Sequence, residues 1–599
     1  MLGKVLLALL LTAQSTTPGA TFHRSPCSLS ALARSKRSNI VVGETAQAID
    51  EFVERLTRLG IFSGQVLIAR HDSVLLNGAY GFANLELCAP VTRETVFDIA
   101  SLSNQFTGAA LLRLAEDGVL ALSDSLGKWL PDVPADKRGI TIDQLSRHRA
   151  GIPRYLDDDD FDHFAHDLAP PRDSVVRAIL AKPLRFAPGS QFEYSNMGFV
   201  LLAAVVERAA RQPFTQYVRS AILRRAHLTH TGFPADTRTW PEARVARAYA
   251  DQYDDGSPRE RPDSWHGLGG SQIVSSATDL LTWHRALRNN RVLSSDPRER
   301  LRDSLVGDYA LGWRALRRPD GTVGVFFHAG AHPRSFGSEF RYYPARDVVV
   351  IVLTNLRHDD VYMQEDVIAN VSDFFVGRDS VLTPLPAVVA EARARVEGSY
   401  AIAEGDSLVV WRDKAARLWM APLGQRAFDI VFGKDSTESR TAMAASRTRE
   451  FIESLQHVDC SSIQPHAMPV HTFEIRSSQW NDRWCAWQRD GAYRGMSIVG
   501  VAPRTYSKTR AYVISRLQFG RTSRVVAWEW SADEFQKSWS APEVPFPQSR
   551  ALAATSDGRF VAYDWFTGRR LDITAQSDGA GRVRVLTLTD SARTVVARR

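Results

Sequence analysis

Two short, mostly apolar runs open the patterned part of the chain. Gly64-Gln65-Val66-Leu67-Ile68-Ala69-Arg70 and residues 73–78 (Ser-Val-Leu-Leu-Asn-Gly) read as two strands joined by a polar turn at His71-Asp72. Residues 103–120 place Phe106, Ala110, Leu111 and Leu114 at helical spacing and predict a helix. Residues 199–209 predict a second, mostly apolar helix, and residues 348–353 (Val-Val-Val-Ile-Val-Leu) a fully buried strand. Beyond about residue 385, after Pro384 and Pro386, the pattern shortens. Leu408-Val409-Val410-Trp411, Leu418-Trp419-Met420, Phe428-Asp429-Ile430-Val431-Phe432 and residues 524–530, 559–566 and 582–588 read as short strands between turns rich in Gly, Asp and Ser. Many short strands at such spacing predict antiparallel barrels or sandwiches.

Composition narrows the class. With 44% hydrophobic and 24% charged residues the chain can bury a sizeable core, which excludes wholesale disorder. The net charge of +7 is mild for 599 residues, and no dense Lys/Arg run with interleaved aromatics marks a nucleic-acid surface. The amino terminus, Met1-Leu2-Gly3-Lys4 followed by an apolar run from Val5 to Leu11 and then Ala13-Gln14-Ser15, reads as a secretory signal. That run is too short to span a bilayer, and no other segment has the length. Export to the periplasm or exterior follows as the expectation. The four cysteines, Cys27, Cys88, Cys460 and Cys485, suit an oxidising compartment; Cys460 and Cys485 are placed to pair within one unit, and all four being free is the alternative. No cysteine spacing suggests zinc. The domain reading is a signal over 1–20, a flexible leader over 21–46, a first domain over 47–375, and a β-rich region of one or two barrel-like domains over 385–599.

A serine that attacks an amide or ester needs a rigid position, a base and donors for the oxyanion. One solution sets serine at the start of a buried helix with lysine one turn on, because i and i+3 share a face and the helix N-terminus supplies positive potential. Here the segment is Phe97-Asp98-Ile99-Ala100-Ser101-Leu102-Ser103-Asn104-Gln105-Phe106-Thr107. Further on stand Tyr194-Ser195-Asn196, introduced by Phe186-Ala187-Pro188-Gly189, and His328-Ala329-Gly330, followed by the buried strand that ends Leu353-Thr354-Asn355. In order, spacing and flanks, including Gly151-Ile152-Pro153 and Leu311-Gly312-Trp313, these stretches resemble the serine beta-lactamase/penicillin-binding-protein family over roughly residues 50–356.

The resemblance implies an α+β beta-lactamase/transpeptidase-like domain, an antiparallel sheet flanked by helices with an all-helical part, ahead of the C-terminal antiparallel β-barrel or sandwich region. It implies Ser101 as nucleophile and Tyr194 as the group that passes a proton to the leaving group. It implies Asn196, His328 and Gly330 in substrate binding, and N–H donors from Ser101 and near Ala331 for the oxyanion. Gly330 is expected to be glycine because a side chain would block the substrate. No cofactor or metal is implied. The departure is Asn104, which stands where the family has lysine: asparagine carries no charge and accepts no proton at useful pH. Tyr194 and His328 are the only placed candidates for a substitute base, since Arg113 lies more than two turns away. A third motif with histidine resembles esterase and aminopeptidase-like members more than dedicated beta-lactamases.

Each residue also has a plainer reading. A serine at a helix start is a common N-cap, a buried tyrosine has a satisfied hydroxyl, and an asparagine can cap a strand end. The acidic stretch Asp157 to Asp160 with Asp162, His163, His166 and Asp167 reads as a solvated loop rather than a metal site, and Trp480, Trp484, Trp487, Trp528 and Trp530 as β-barrel core rather than a sugar site. Two functions stay open: a serine hydrolase acting on D-amino-acid peptides, acyl esters or beta-lactams through Ser101, with activity impaired by Asn104; or a non-catalytic binding or regulatory protein of the cell envelope. The partner in either case is a small molecule or peptide.

Overall fold

The computed structural model describes residues 27, 38–155, 169–250, 253–299, 308–332, 335–358, 361–362, 364–376, 385–389, 395–412, 417–433, 438–461, 474–475, 480–503, 510–531, 534–539, 550–563, 569–590 and 593–599. They fall into two compact units, one of Ser30–Thr57 with Ile61–Pro384, the other chiefly of Leu385–Arg599. The expected signal over 1–20 and the acidic stretch at 157–167 lie outside the described residues.

The first unit is built on an eight-stranded sheet. Its order is Ile40–Val41, Ser73–Tyr80, Gly64–Arg70, Val348–Thr354, Phe336–Tyr343, Val323–His332, Trp313–Arg317 and Tyr309–Ala310. Every neighbouring pair is antiparallel. Val348–Thr354 is central and buried at every position, which explains its unbroken apolar run. The turn predicted at His71-Asp72 forms, with both residues left-handed (φ 47° and 63°) as a tight two-residue hairpin requires.

Helices cover the sheet. Glu44–Arg58 turns its buried face, Ile49, Phe52, Val53 and Leu56, inward. The predicted 103–120 helix runs over Asn104–Glu116 and the 199–209 helix over Asn196–Ala210. The latter has no polar stripe in its middle because Phe199 to Val206 is buried all round, within the same core as Phe106 and Leu111. Shorter helices, Leu126–Trp129, Ile142–Ser146 and Arg172–Ala181, complete a helical part.

The second unit contains a closed eight-stranded antiparallel barrel: Gly398–Ala403, Asp406–Arg412, Leu418–Leu423, Arg550–Ala554, Phe560–Tyr563, Arg570–Ser577, Val583–Thr589 and Thr594–Arg598, shut by Ala401 opposite Arg598. Between its third and fourth strands the chain builds a separate five-stranded sheet carrying the helices Glu438–Leu455 and Trp480–Gln488. Cys460 and Cys485 are bridged there, and Cys27 and Cys88 are also disulfide-bonded.

Several expectations are corrected. The stretch read as a leader over 21–46 is partly structured, since Ile40–Val41 pairs with Asn77 and Leu76 and a helix begins at Glu44. Phe428 to Phe432 is not a strand: Gln425–Val431 is a helix, because Ala427, Phe428, Ile430 and Val431 fall on one buried face. The tryptophans do form core, but not the barrel's. Trp480, Trp484 and Trp487 lie on a helix packed against the five-stranded sheet, with Trp480 stacked on Trp528 at 4.7 Å between ring centroids. Of the one or two barrels expected, the described residues of the β-rich region form one, and beside it a sheet with helices.

Candidate active site

Ser101 sits in a short turn of 3-10 helix, Ala100–Ser103, that leads directly into the helix Asn104–Glu116. Its preceding residue, Ala100, is left-handed (φ 45°), a strained conformation for a residue with a side chain. The strain is held by a buried charge cluster. Asp98 accepts the Ala100 N–H through Oδ1 at 2.8 Å and the Arg261 guanidinium through Oδ2 at 2.6 Å. Arg261 is also 2.6 Å from His332 Nε2. All three side chains are at most 2% exposed, so the turn beside Ser101 is tied to the strand that carries His328 through an ion pair with no competing water. Burial raises the Asp98 carboxyl, against the lowering effect of Arg261.

The strand Val323–His332 lies against this turn. Ser338, on the adjacent strand, donates to the Ile99 carbonyl at 2.6 Å. A Cβ on Gly330 would stand 2.5 Å from that carbonyl and 2.9 Å from the Ser101 nitrogen. Gly330 is thus needed for backbone-to-backbone approach, a different reason from the blocked substrate path the sequence suggested. Ala331 follows it in the same strand, opposite Gly337.

Asn104 is fully buried one turn beyond Ser101. Its Nδ2 donates to the hydroxyls of Tyr194 and Tyr309, both at 2.9 Å. Tyr309 Oη is 2.9 Å from His328 Nε2, while His328 Nδ1 is 2.7 Å from the Ala329 carbonyl. A carbonyl only accepts, so Nδ1 carries the imidazole proton and Nε2 is the bare acceptor. Tyr309 therefore donates to His328 and accepts from Asn104. Tyr194 accepts from Asn104 and is hydrogen-bonded to Ser101.

Burial dominates the electrostatics. It raises the phenols of Tyr194 and Tyr309, the first opposed by its bonds to Ser101 and Asn104. It pushes the His328 imidazole down to about 4. Both tyrosines are protonated and His328 neutral at neutral pH, so no described ionised base touches Ser101. Asn196 begins the helix Asn196–Ala210, and its Oδ1 is buried with no partner among the described residues, as is that of Asn104. Ser195 caps that helix through Gly198 N and passes its own N–H to His148 Nδ1 at 3.1 Å. His148 is wedged between the rings of Tyr194 and Tyr309 at 4.2 and 4.3 Å, and its own pKa is driven well down, first by burial.

Contacts thus link Ser101, Asn104, Tyr194, His328 and Gly330, with Ala331 next in the strand and Asn196 at the head of the helix that follows Tyr194. Tyr309, His148 and the Asp98–Arg261–His332 cluster are additions that the sequence reading missed. Tyr309 precedes the Leu311-Gly312-Trp313 stretch by two residues. It reaches the site because Leu311 and Gly312 make a left-handed turn against the helix, where a Cβ on Gly108 would be 2.2 Å from the Leu311 carbonyl.

Residues 45–372 match the family model described as Beta-lactamase, more than half of the chain. The chain belongs to the beta-lactamase family. Penicillin-binding protein 4* of Bacillus subtilis (strain 168) is 27% identical over 409 residues, covering 64% of this chain and 88% of that protein. Protein flp of Staphylococcus aureus (strain COL) is 27% identical over 335 residues, 54% of this chain and 65% of its own. Among solved structures, a penicillin-binding protein from Bacillus halodurans is similar with TM-score 0.46 and 24% identity, over 56% of this chain and 99% of that one. In this beta-lactamase-family domain no described group of three or more His, Cys, Asp or Glu residues could hold a metal ion. No described helix is long and apolar enough to cross a membrane.

Proposed function

We propose that this beta-lactamase-family protein works in the cell envelope, engages small amides and esters at Ser101, and turns them over slowly. The observation that carries the reading is the state of Asn104: both of its N–H donors are taken by tyrosine hydroxyls, and it brings no charge to lower either phenol. In the reaction, Ser101 Oγ attacks the carbonyl and forms an acyl ester. The hydroxyl proton can leave only to the minor phenolate form of Tyr194, which returns it to the departing amine or alcohol, and water later cleaves the ester. The N–H groups of Ser101 and Ala331 steady the oxyanion. The unpartnered Asn196 Oδ1 suits an amide N–H of the substrate, while His328 and Gly330 line the opposite wall. With Tyr194 held almost entirely as the protonated phenol, the first step is largely without the base assistance that is worth about 10²–10⁴-fold.

The test compares wild type, Asn104→Lys and Ser101→Ala for labelling by a fluorescent penicillin and for release of p-nitrophenol from a short acyl ester. Asn104→Lys should acylate about 10²–10⁴ times faster than wild type, and Ser101→Ala not at all. Wild type already acylating as fast as the lysine variant would overturn the impaired chemistry. No labelling of either protein at Ser101 would favour the second reading, a binding protein that never forms the acyl ester, for which the same uncharged Asn104 speaks.

A further inference from the structure

We infer that the site at Ser101 takes a small ammonium ion, held by the amide oxygen of Asn104 against Gly270, and that this ion supplies the positive charge Asn104 does not bring. The inference rests on the reading of Ser101 as a slow nucleophile and adds what raises its rate.

Three oxygens gather above Gly270. A Cβ built there would meet the Asn196 carbonyl at 3.7 Å, the Asn104 Oδ1 and the Gly267 carbonyl at 3.8 Å each, and nothing nearer. All three neighbours are hydrogen-bond acceptors. The Gly267 carbonyl also takes the N–H groups of Gly270 and Ser271 at 3.0 and 2.9 Å, and the Asn196 carbonyl opens the ladder of its helix. Asn104 Oδ1 is different: it is buried and has no partner among the described residues. Its direction is fixed, because Nδ2 of the same amide is committed to Tyr194 and Tyr309 at 2.9 Å. A buried acceptor without a donor is destabilising. Methyl-sized room bounded by acceptors suits a group that is all donor, and ammonium presents N–H on every side, with a charge that water does not bring. Ser101, Tyr194 and Asn196 are each partly exposed, which leaves the ion a way in.

The helices Asn104–Glu116 and Asn196–Ala210 both present their positive ends here, which weakens the hold on a cation, so the ion binds reversibly and in proportion to its supply. Its effect runs through Asn104. An ion at Oδ1 stands one amide group and one hydrogen bond from the Tyr194 hydroxyl, roughly 7 Å. A positive charge at that range in a half-buried setting favours the phenolate about 10–10²-fold. It also polarises the amide, so that Nδ2 donates more strongly to Tyr194. The Ser101 proton then finds a better acceptor in Tyr194, while the ion forms no covalent bond and is not consumed.

The test follows labelling of Ser101 by a fluorescent penicillin at pH 7 as ammonium chloride replaces sodium chloride at constant ionic strength, with tetramethylammonium as a cation too large for the space. Ammonium should accelerate the wild type about 10–10²-fold and saturate, and tetramethylammonium should not. Gly270→Ala should stay folded, since its methyl meets no atom nearer than 3.7 Å. It should label at the wild-type rate in sodium and lose the response to ammonium, because the methyl fills the space. Asn104→Lys should already be fast in sodium and gain little. The melting temperature of Ser101→Ala, in which no acyl ester forms, reads occupancy alone. It should rise with ammonium and not with tetramethylammonium, and the rise should vanish when Gly270→Ala is added. Acceleration shared by tetramethylammonium, or surviving Gly270→Ala, would overturn the site, as would a wild type that labels in sodium and gains nothing from ammonium. If Ser101 is labelled under no condition, the reading of a slow nucleophile falls, and with it the role given to the ion. An ammonium-dependent rise in the melting temperature would then still support the site, and its absence would overturn that as well.

Discussion

Substituting Gly330 by alanine probes the contact on which the crevice depends. The added methyl would meet the Ile99 carbonyl and Ser338 Oγ at 2.5 Å each and the Ser101 nitrogen at 2.9 Å. Two of these three are backbone atoms and cannot rotate away. Restoring an ordinary 3.4 Å separation from a 2.5 Å approach requires about 0.9 Å of retreat by the strand from the nucleophile turn. Ser338 offers little relief, being buried and donating to the same Ile99 carbonyl. Overpacking of this kind costs about 1–3 kcal/mol. A displacement near 1 Å at a reacting centre costs about 10²-fold in rate. We therefore expect Gly330→Ala, in both the wild-type and the Asn104→Lys background, to remain folded, to melt a few degrees lower, and to acylate about 10²-fold more slowly with a fluorescent penicillin. Thermal melting and time-resolved labelling read the two effects separately. Parent-like labelling and an unchanged melting temperature would show that the strand does not press on the Ser101 turn, and the convergence of the motifs would fall.

Three further outcomes follow from the same geometry. Asp98→Ala leaves the Arg261 guanidinium buried without its carboxylate, and urea denaturation should register a loss of about 3–5 kcal/mol; a loss below about 1 kcal/mol would show the cluster to be wet. Acylation by the wild type should climb with pH without levelling off below about 10, because the Tyr194 phenol is raised above the ordinary tyrosine value, and Tyr194→Phe should flatten the climb; a plateau between pH 7 and 9 would reveal another base. Stability should fall in mild acid. His328 titrates near 6.5 when unfolded and at about 4 when folded, so its contribution is intact above about 6.5 and is lost as pH drops through that window, up to about 3 kcal/mol, with His148 and His284 acting in the same direction. A melting temperature that does not change between pH 7 and 5 in dilute buffer would contradict the burial of these imidazoles.

The local elements were legible where the apolar pattern had a single explanation. The unbroken run at Val348 to Leu353 and the helix around Phe199 to Ala209 announce themselves because a fully buried strand or helix has no polar face to confuse its period. The segment at Phe428 to Phe432 misled because five residues are too few to separate a helical face from a strand, and packing inside the second unit settled it. The tryptophans were legible as core by their bulk, but not as the core of a separate sheet, since only the fold brings Phe451 and Trp528 against Trp480.

At the crevice the sequence by itself determined the chemical identity of the parts: a serine before a buried helix, an asparagine one turn later, a Tyr-x-Asn and a His-x-Gly, in family order. It also determined that no lysine stands one turn after the serine in the same helix, since that is a matter of composition at a fixed helical offset. The tertiary structure alone decided what Asn104 does instead. Its partner Tyr309 lies 205 residues away, and Arg261 meets Asp98 across 163. Neither pairing leaves a local signature, because hydrogen bonds and ion pairs depend on distance in space, and only folding brings such residues within 3 Å while removing the water that would otherwise satisfy them.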